Sequence, residues 1–171
     1  NVAVALKVCE INGIDKQIAL NGMLKAKPDP GATVIWKIKC AKNSNFFVNL
    51  MAANDPSSTL NAYLQLKGRI KDNKVCIFFN TRSDRRYRTS QLLSLIFNKI
   101  NPDYLVIRAD DLPEEFDQYM DKNKNLLTKI VSYKADINDM VKIFSKFKDC
   151  YIVGIGNMVG WGEQFVKDLK K

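Results

Sequence analysis

From Thr33 onward the chain alternates short runs of β-branched and aromatic residues with stretches of helical periodicity, and this alternation limits the fold more than any other feature. The runs are Thr33 to Lys39, Phe46 to Leu50, Val75 to Phe79, Tyr104 to Ile107, Thr128 to Tyr133 and Tyr151 to Ile155, and their length and composition read as strands. Between them the spacing predicts helices at about 56–70, 86–100, 111–124, 136–147 and 162–170. Strands alternating with helices build an α/β domain on a mostly parallel sheet, because a parallel pair needs a crossover and the crossover is usually a helix. Only Cys40 to Asn45 separate the first two runs. That is too short for a crossover, so those two pair as an antiparallel hairpin. The expected architecture is a mixed, mostly parallel sheet of about six strands with flanking helices.

Residues 1–31 read differently. Apolar residues at 2 to 6, 8, 9 and 11 make a first helix apolar almost all the way round, and such a helix is normally buried. Gly13 ends it, Asp15 caps a second helix through about Lys25, and Pro28-Asp29-Pro30-Gly31 forms a linker. Because Asn1 is not an initiator Met and helix begins at once, the 171 residues are expected to be a fragment or a processed product. The composition, 46% apolar and 26% charged, suits one globular core. No apolar run approaches the ~20 residues that span a bilayer.

Histidine is absent, which removes Ser/His and Cys/His catalysis and any His-ligated metal. The cysteines, Cys9, Cys40, Cys76 and Cys150, show no CxxC spacing; three lie in apolar runs and read as buried, reduced thiols. The net charge of +9 points to acidic partners: nucleic acid, an anionic membrane face, nucleotides or polyanionic substrates. Within that charge one choice is local. The chain has six Arg against twenty-one Lys, yet Arg82, Arg85, Arg86 and Arg88 fall within seven residues at a strand-to-helix turn. Guanidinium grips carboxylate or phosphate through two parallel hydrogen bonds, which lysine cannot do.

In an open α/β sheet, ligands bind beyond the carboxyl ends of the strands, where helix N-termini also point. Three loops at that edge stand out. In Met51 to Thr59, Asp55 as N-cap and Pro56 at the first helical position are explained by helix capping, but Asn54 is not. The arginine loop is the second. The third is Gly154 to Gly162, GIGNMVGWG, whose glycines allow close backbone approach to a ligand. Its GxG follows the last strand rather than the first, so it is not a dinucleotide fingerprint, and no GxxxxGK[ST] occurs. After the fourth strand, Asp110 and Asp111 form a carboxylate pair that could touch a metal or an amine, and they are expected rather to cap the next helix. On these residues alone a basic nucleotide- or phosphate-binding module stays open. A nucleic-acid-binding module does too, although Tyr87 is the one aromatic among the clustered arginines.

Five segments in chain order carry a resemblance: NVAVALKVCEINGID at 1–15, MLKAKPDPGA at 23–32, FVNLMAANDPSSTL at 47–60, NTRSDRRYRTSQL at 80–92 and VGIGNMVGWG at 153–162. Together they resemble the C-terminal part of the Mur ligase superfamily, most closely its poly-γ-glutamate synthase branch (CapB/PgsB, capsule biosynthesis). The resemblance implies that 1–31 is the helical end of an ATPase central domain plus linker, and that 32–171 is a Rossmann-like C-terminal ligase domain. It implies an ATP-dependent acid–amino-acid ligase in which a carboxylate attacks the γ-phosphate and an amine then displaces phosphate from the acyl phosphate. Asn54, Asp55 and Arg82 would contact the nucleotide, and Arg85 and Arg88 would be catalytic. Asp84, Gly154, Gly156 and Asn157 would lie along the amino-acid substrate. Asn157 and Met158 stand where the superfamily has His and Glu in its GKGHE motif, and Ala52-Ala53 stand where the murein ligases have a histidine nearby. The cofactors implied are ATP and Mg, with the metal held mainly by the central domain and by no residue here. The partners implied are glutamate, growing poly-γ-glutamate and membrane subunits of a capsule synthesis complex, with nucleic acid not favoured. The location implied is cytoplasmic, at the inner face of the plasma membrane through those subunits or an N-terminal segment. Without the P-loop, these residues alone are expected to be inactive. The physical reading fits: charge builds up as an acyl phosphate forms beside ATP, and preorganised Arg donors stabilise it most where water is excluded.

Overall fold

A computed structural model describes residues 2–26, 33–38, 44–53 and 55–170. Two helices come first, α1 (Val2–Ile11) and α2 (Lys16–Leu24), the second capped by Asp15, whose carboxylate accepts from the N–H groups of Gln17 and Ile18. The expectation that the first helix is buried does not hold. No residue of α1 is buried, and Val2, Val4, Val8 and Ile11 face outward. The reason is geometric: among the described residues the main neighbour of α1 is α2, itself a largely exposed helix. The Pro28 to Gly31 linker and Cys40 lie outside the described residues.

Among the described residues the sheet has six strands: β1 (Val34–Lys37), β2 (Phe46–Asn49), β3 (Lys74–Asn80), β4 (Tyr104–Arg108), β5 (Leu127–Val131) and β6 (Cys150–Gly156). Their order is β1-β2-β6-β3-β4-β5. The β1–β2 pair is antiparallel, Val34 opposite Asn49, and the others are parallel. This is the expected mixed, mostly parallel sheet. The central strands β3 and β6 are continuous apolar runs because both their faces are covered. One face carries α3 (Pro56–Ile70), α4 (Arg86–Leu95) and α5 (Glu115–Lys122), with Tyr63, Leu66, Leu92, Leu93 and Phe116 packed on Val75, Ile77, Phe79 and Ile107. The other carries α6 (Ile137–Phe144) and α7 (Trp161–Leu169), with Met140, Phe144, Phe165 and Val166 on Phe47, Cys76, Phe78 and Ile152.

Differences from the expected boundaries have local causes. The helix expected at 86–100 is preceded by a 3-10 turn, Ser83–Arg85, and finishes as a π turn, Ile96–Ile100, closed by Asn101 in the left-handed region. Strand β5 stops at Val131 because the next backbone donors leave the ladder: Tyr133 N–H goes to Asp110 Oδ1 at 2.9 Å. Asp110 and Asp111 do not cap a helix. α5 begins only at Glu115, while Asp111 pairs with Arg86 at 2.9 Å.

Candidate functional site

β3 and β6 lie side by side, and their carboxyl ends carry the arginine loop and the glycine turn. Asn80 ends β3. Its carbonyl accepts the Asn157 N–H at 2.7 Å and its Nδ2 donates to the Asn157 carbonyl at 2.6 Å. Gly156, opposite Asn80 in the register, has φ +92°. A Cβ there would collide with the Asn80 carbonyl and lie 2.8 Å from the Phe79 ring, so only glycine fits. Thr81 continues the floor, donating from its N–H at 3.1 Å and its hydroxyl at 2.8 Å to the Arg108 carbonyl, with the Tyr133 hydroxyl 2.6 Å from the same Oγ1.

Between these ends and α4 lies a cavity lined by Asn80, Thr81, Arg82, Arg85, Arg88 and Gly156, among others. Its volume of about 20 Å³ admits about one water-sized group, so a larger anion would lie across its mouth. The four clustered arginines divide by partner. Arg82 holds Asp84 with two bonds, Nε to Oδ1 at 2.8 Å and Nη2 to Oδ2 at 2.7 Å, and its guanidinium holds the Asp84 carboxyl below the usual range. Arg86 turns away to Asp111. Among the described residues, the guanidinium groups of Arg85 and Arg88 show no hydrogen bond and no ion pair within 4.0 Å. Those two are the donors left over for a ligand.

Residues 35–171 match the family described as the poly-gamma-glutamate synthase CapB C-terminal domain. The chain belongs to that family. PGA synthase CapB of Bacillus subtilis (strain 168) is 32% identical to this CapB C-terminal domain chain over 173 residues, 99% of the chain and 44% of the relative. Capsule biosynthesis protein CapB of Bacillus anthracis is 44% identical over 92 residues, 53% of the chain and 20% of that protein. The chain thus spans less than half the length of these relatives. A murein peptide ligase, mpl, from Psychrobacter arcticus shares the fold at TM-score 0.59 and 14% identity, over 99% of this chain and 35% of that one.

In this CapB C-terminal domain, Arg82, Arg85, Arg88, Gly156 and Asn157 line one cavity. Asp84 sits beside it, bound to Arg82. Asp55 caps α3 through the Ser58 N–H at 2.9 Å and hydroxyl at 2.6 Å. Those bonds, with a smaller contribution from the Arg88 charge, lower its pKa, so the α3 cap and the arginine loop are electrostatic neighbours. Asn54 lies outside the described residues. Gly154 does not line the cavity. It lies within β6, where a Cβ would sit 2.6 Å from the Phe47 ring, and its absent side chain makes room for that ring. Asn80 and Thr81 line the cavity and Arg108, Tyr133 and Trp161 pack behind it, though the sequence marked none of them individually; the available signal was that the first three are polar residues at or just beyond apolar runs. Among the described residues no group of three or more His, Cys, Asp or Glu is placed to hold a metal ion.

Proposed function

We propose that this domain forms one wall of the active site of an ATP-dependent carbon–nitrogen ligase that joins glutamate into poly-γ-glutamate. In the first step a carboxylate oxygen bonds to the γ-phosphorus of ATP, the bond to the β-phosphate oxygen breaks, and ADP leaves. In the second the amine of an incoming glutamate attacks the acyl carbon, phosphate departs, and the ammonium proton is lost to solvent. Both steps gather negative charge beside the arginine loop. Arg85 and Arg88 act on it as preorganised donors, and in a site closed to water such donors act far more strongly than in bulk solvent.

The observation that carries this reading is the pairing pattern of the loop. Arg82 and Arg86 are satisfied by Asp84 and Asp111, while Arg85 and Arg88 meet the Gly156–Asn157 turn with no carboxylate partner among the described residues. Arg82 and Asp84, held to each other, brace the loop, and Arg82 contacts nucleotide from its free edge. Asn54 and Asp55 contact the nucleotide, Asp55 from the α3 side, and Asn157 lies along the amino acid. Residues 1–31 close an ATPase central domain that supplies the P-loop and magnesium. The enzyme works at the cytoplasmic face of the plasma membrane with membrane subunits of capsule synthesis. Attachment runs through those subunits or through an N-terminal segment; among the described residues no helix is long and apolar enough to cross a membrane.

Full-length protein supplied with ATP and glutamate is expected to release phosphate in step with γ-glutamyl bond formation, whereas the 171 residues alone, lacking GxxxxGK[ST], hydrolyse no ATP. Binding of nucleic acid at physiological salt, indifferent to ATP and glutamate, would replace this reading with that of a basic binding module.

A further inference from the structure

A buried guanidinium is normally matched to a carboxylate, because an unpaired charge taken out of water is costly. Arg108, at the end of β4, is 6% exposed, yet its hydrogen bonds go to neutral oxygens. Nη1 donates to Asn80 Oδ1 at 3.2 Å and Nη2 to the Tyr133 carbonyl. Nε is buried with no partner among the described residues. The guanidinium lies 3.9 Å from the ring centre of Trp161 and 5.0 Å from that of Tyr133, and Trp161 in turn stacks on Phe165 at 4.8 Å. The carboxylate whose field reaches Arg108, Asp110, is bonded to the Tyr133 N–H and the Ser132 hydroxyl instead.

Of those neighbours Asn80 lines the cavity, and Trp161 follows the glycine turn that forms its other wall. Asn80, whose side chain Arg108 holds, clasps Asn157. Trp161 opens α7 directly behind the glycine turn, where Gly162 leaves room for the Asn157 carbonyl. The Arg108 carbonyl anchors Thr81, the residue from which the arginine loop departs. One side chain therefore touches the ends of β3 and β5 and the start of α7 from its place on β4.

We propose that Arg108 is a positioning residue: it fixes Asn80 and Trp161 so that the Gly156–Asn157 turn and the arginine loop face each other, acting through its planar fork and ring stacking rather than its charge. What the cavity binds rests on the ligase reading; the positioning itself does not. Lysine carries the charge but neither the fork nor the plane, so Arg108→Lys should behave like Arg108→Met.

The test is hydrogen exchange at the Asn157 amide, which donates to the Asn80 carbonyl at 2.7 Å, measured on the 171-residue chain. In both variants exchange at Asn157 should rise by at least about tenfold while the amides of the β3–β6 ladder keep their protection. An unchanged Asn157 amide, or a uniform rise across the ladder, would overturn the proposal. The second arm titrates inorganic pyrophosphate against Trp161 emission in a Trp36→Phe background. Both variants should bind about tenfold more weakly, roughly the worth of one hydrogen bond to a charged group. Restoration by Arg108→Lys would show that charge alone suffices and would also overturn it. If the unsubstituted chain gives no response to pyrophosphate, the anion-cavity reading fails, and the exchange measurement still decides the role of Arg108.

Discussion

Asn80 and Asn157 hold each other twice: the Asn157 N–H donates to the Asn80 carbonyl at 2.7 Å, and the Asn80 Nδ2 donates to the Asn157 carbonyl at 2.6 Å. This clasp continues the β3–β6 pairing one residue past Gly156, so the turn and the arginine loop leave the sheet from a common rigid base. A site built on strand ends is held more closely than one built on loops.

Gly156 is the residue that lets the clasp close. Gly156→Ala places a Cβ against the Asn80 carbonyl at a φ of +92° and should destabilise the fold by about 1–3 kcal/mol, read as a lowered urea midpoint. Gly68→Ala, inside α3 with nothing within 4 Å of the added carbon, should instead stabilise by about 0.5–1 kcal/mol. Equal effects at the two positions would contradict the assigned backbone geometry.

Most of the sheet was legible in the sequence because buried parallel strands are continuous apolar runs, and β3 and β6 show this plainly. The hairpin followed from the short link between β1 and β2. Helix ends were less legible, since they depend on distant partners. Asp110 and Asp111 look like caps locally, but the Tyr133 backbone and Arg86 claim them across the fold. α1 misleads for the same reason: its composition says buried, and burial is set by what packs on it. At the site, the concentration of arginines pointed to the loop. That Arg86 is taken up by Asp111, and that Arg108 holds Asn80 at the base of the loop, depend on contacts 25 and 28 residues apart in sequence.

The thiols offer an independent check of the core. Burial pushes the Cys76 thiol well above its ordinary pKa and the Cys150 thiol to about 12, whereas Cys9 is partly exposed. Thiolate is the reactive form. Iodoacetamide at pH 8 should therefore modify Cys9 in the folded chain and leave Cys76 and Cys150 intact until denaturant is added, as mass spectrometry of the peptides would show. Rapid labelling of Cys76 in the native chain would contradict the placement of β3.

Acid stability should follow the helix caps. Asp136 closes a capping box on α6, and the Asp139 N–H first, then lesser bonds, hold its pKa below the usual carboxylate value. A carboxyl lowered in the folded state contributes stability that is fully present above the unfolded pKa of about 3.9 and is lost as pH falls toward the folded value. Asp55, Asp84 and Asp110 shift the same way. Thermal midpoints should be flat between about pH 7 and pH 5 and fall below about pH 4. Asp136→Asn, which keeps a capping oxygen but cannot titrate, should make that fall shallower; an identical fall would contradict the role given to the Asp136 carboxylate.

The most direct test compares Arg85→Ala, Arg88→Ala and Arg86→Ala in the full-length synthase, following poly-γ-glutamate formed from glutamate and ATP. Arg85 and Arg88 face the cavity without carboxylate partners among the described residues, whereas Arg86 makes an exposed pair with Asp111. Loss of Arg85 or Arg88 should lower ligation on the order of 10²-fold or more through lost stabilisation of transition-state charge. Loss of Arg86 should change it by less than about threefold, as expected for a surface ion pair. Near-normal polymer formation by both Arg85→Ala and Arg88→Ala would remove the arginine loop from the reaction.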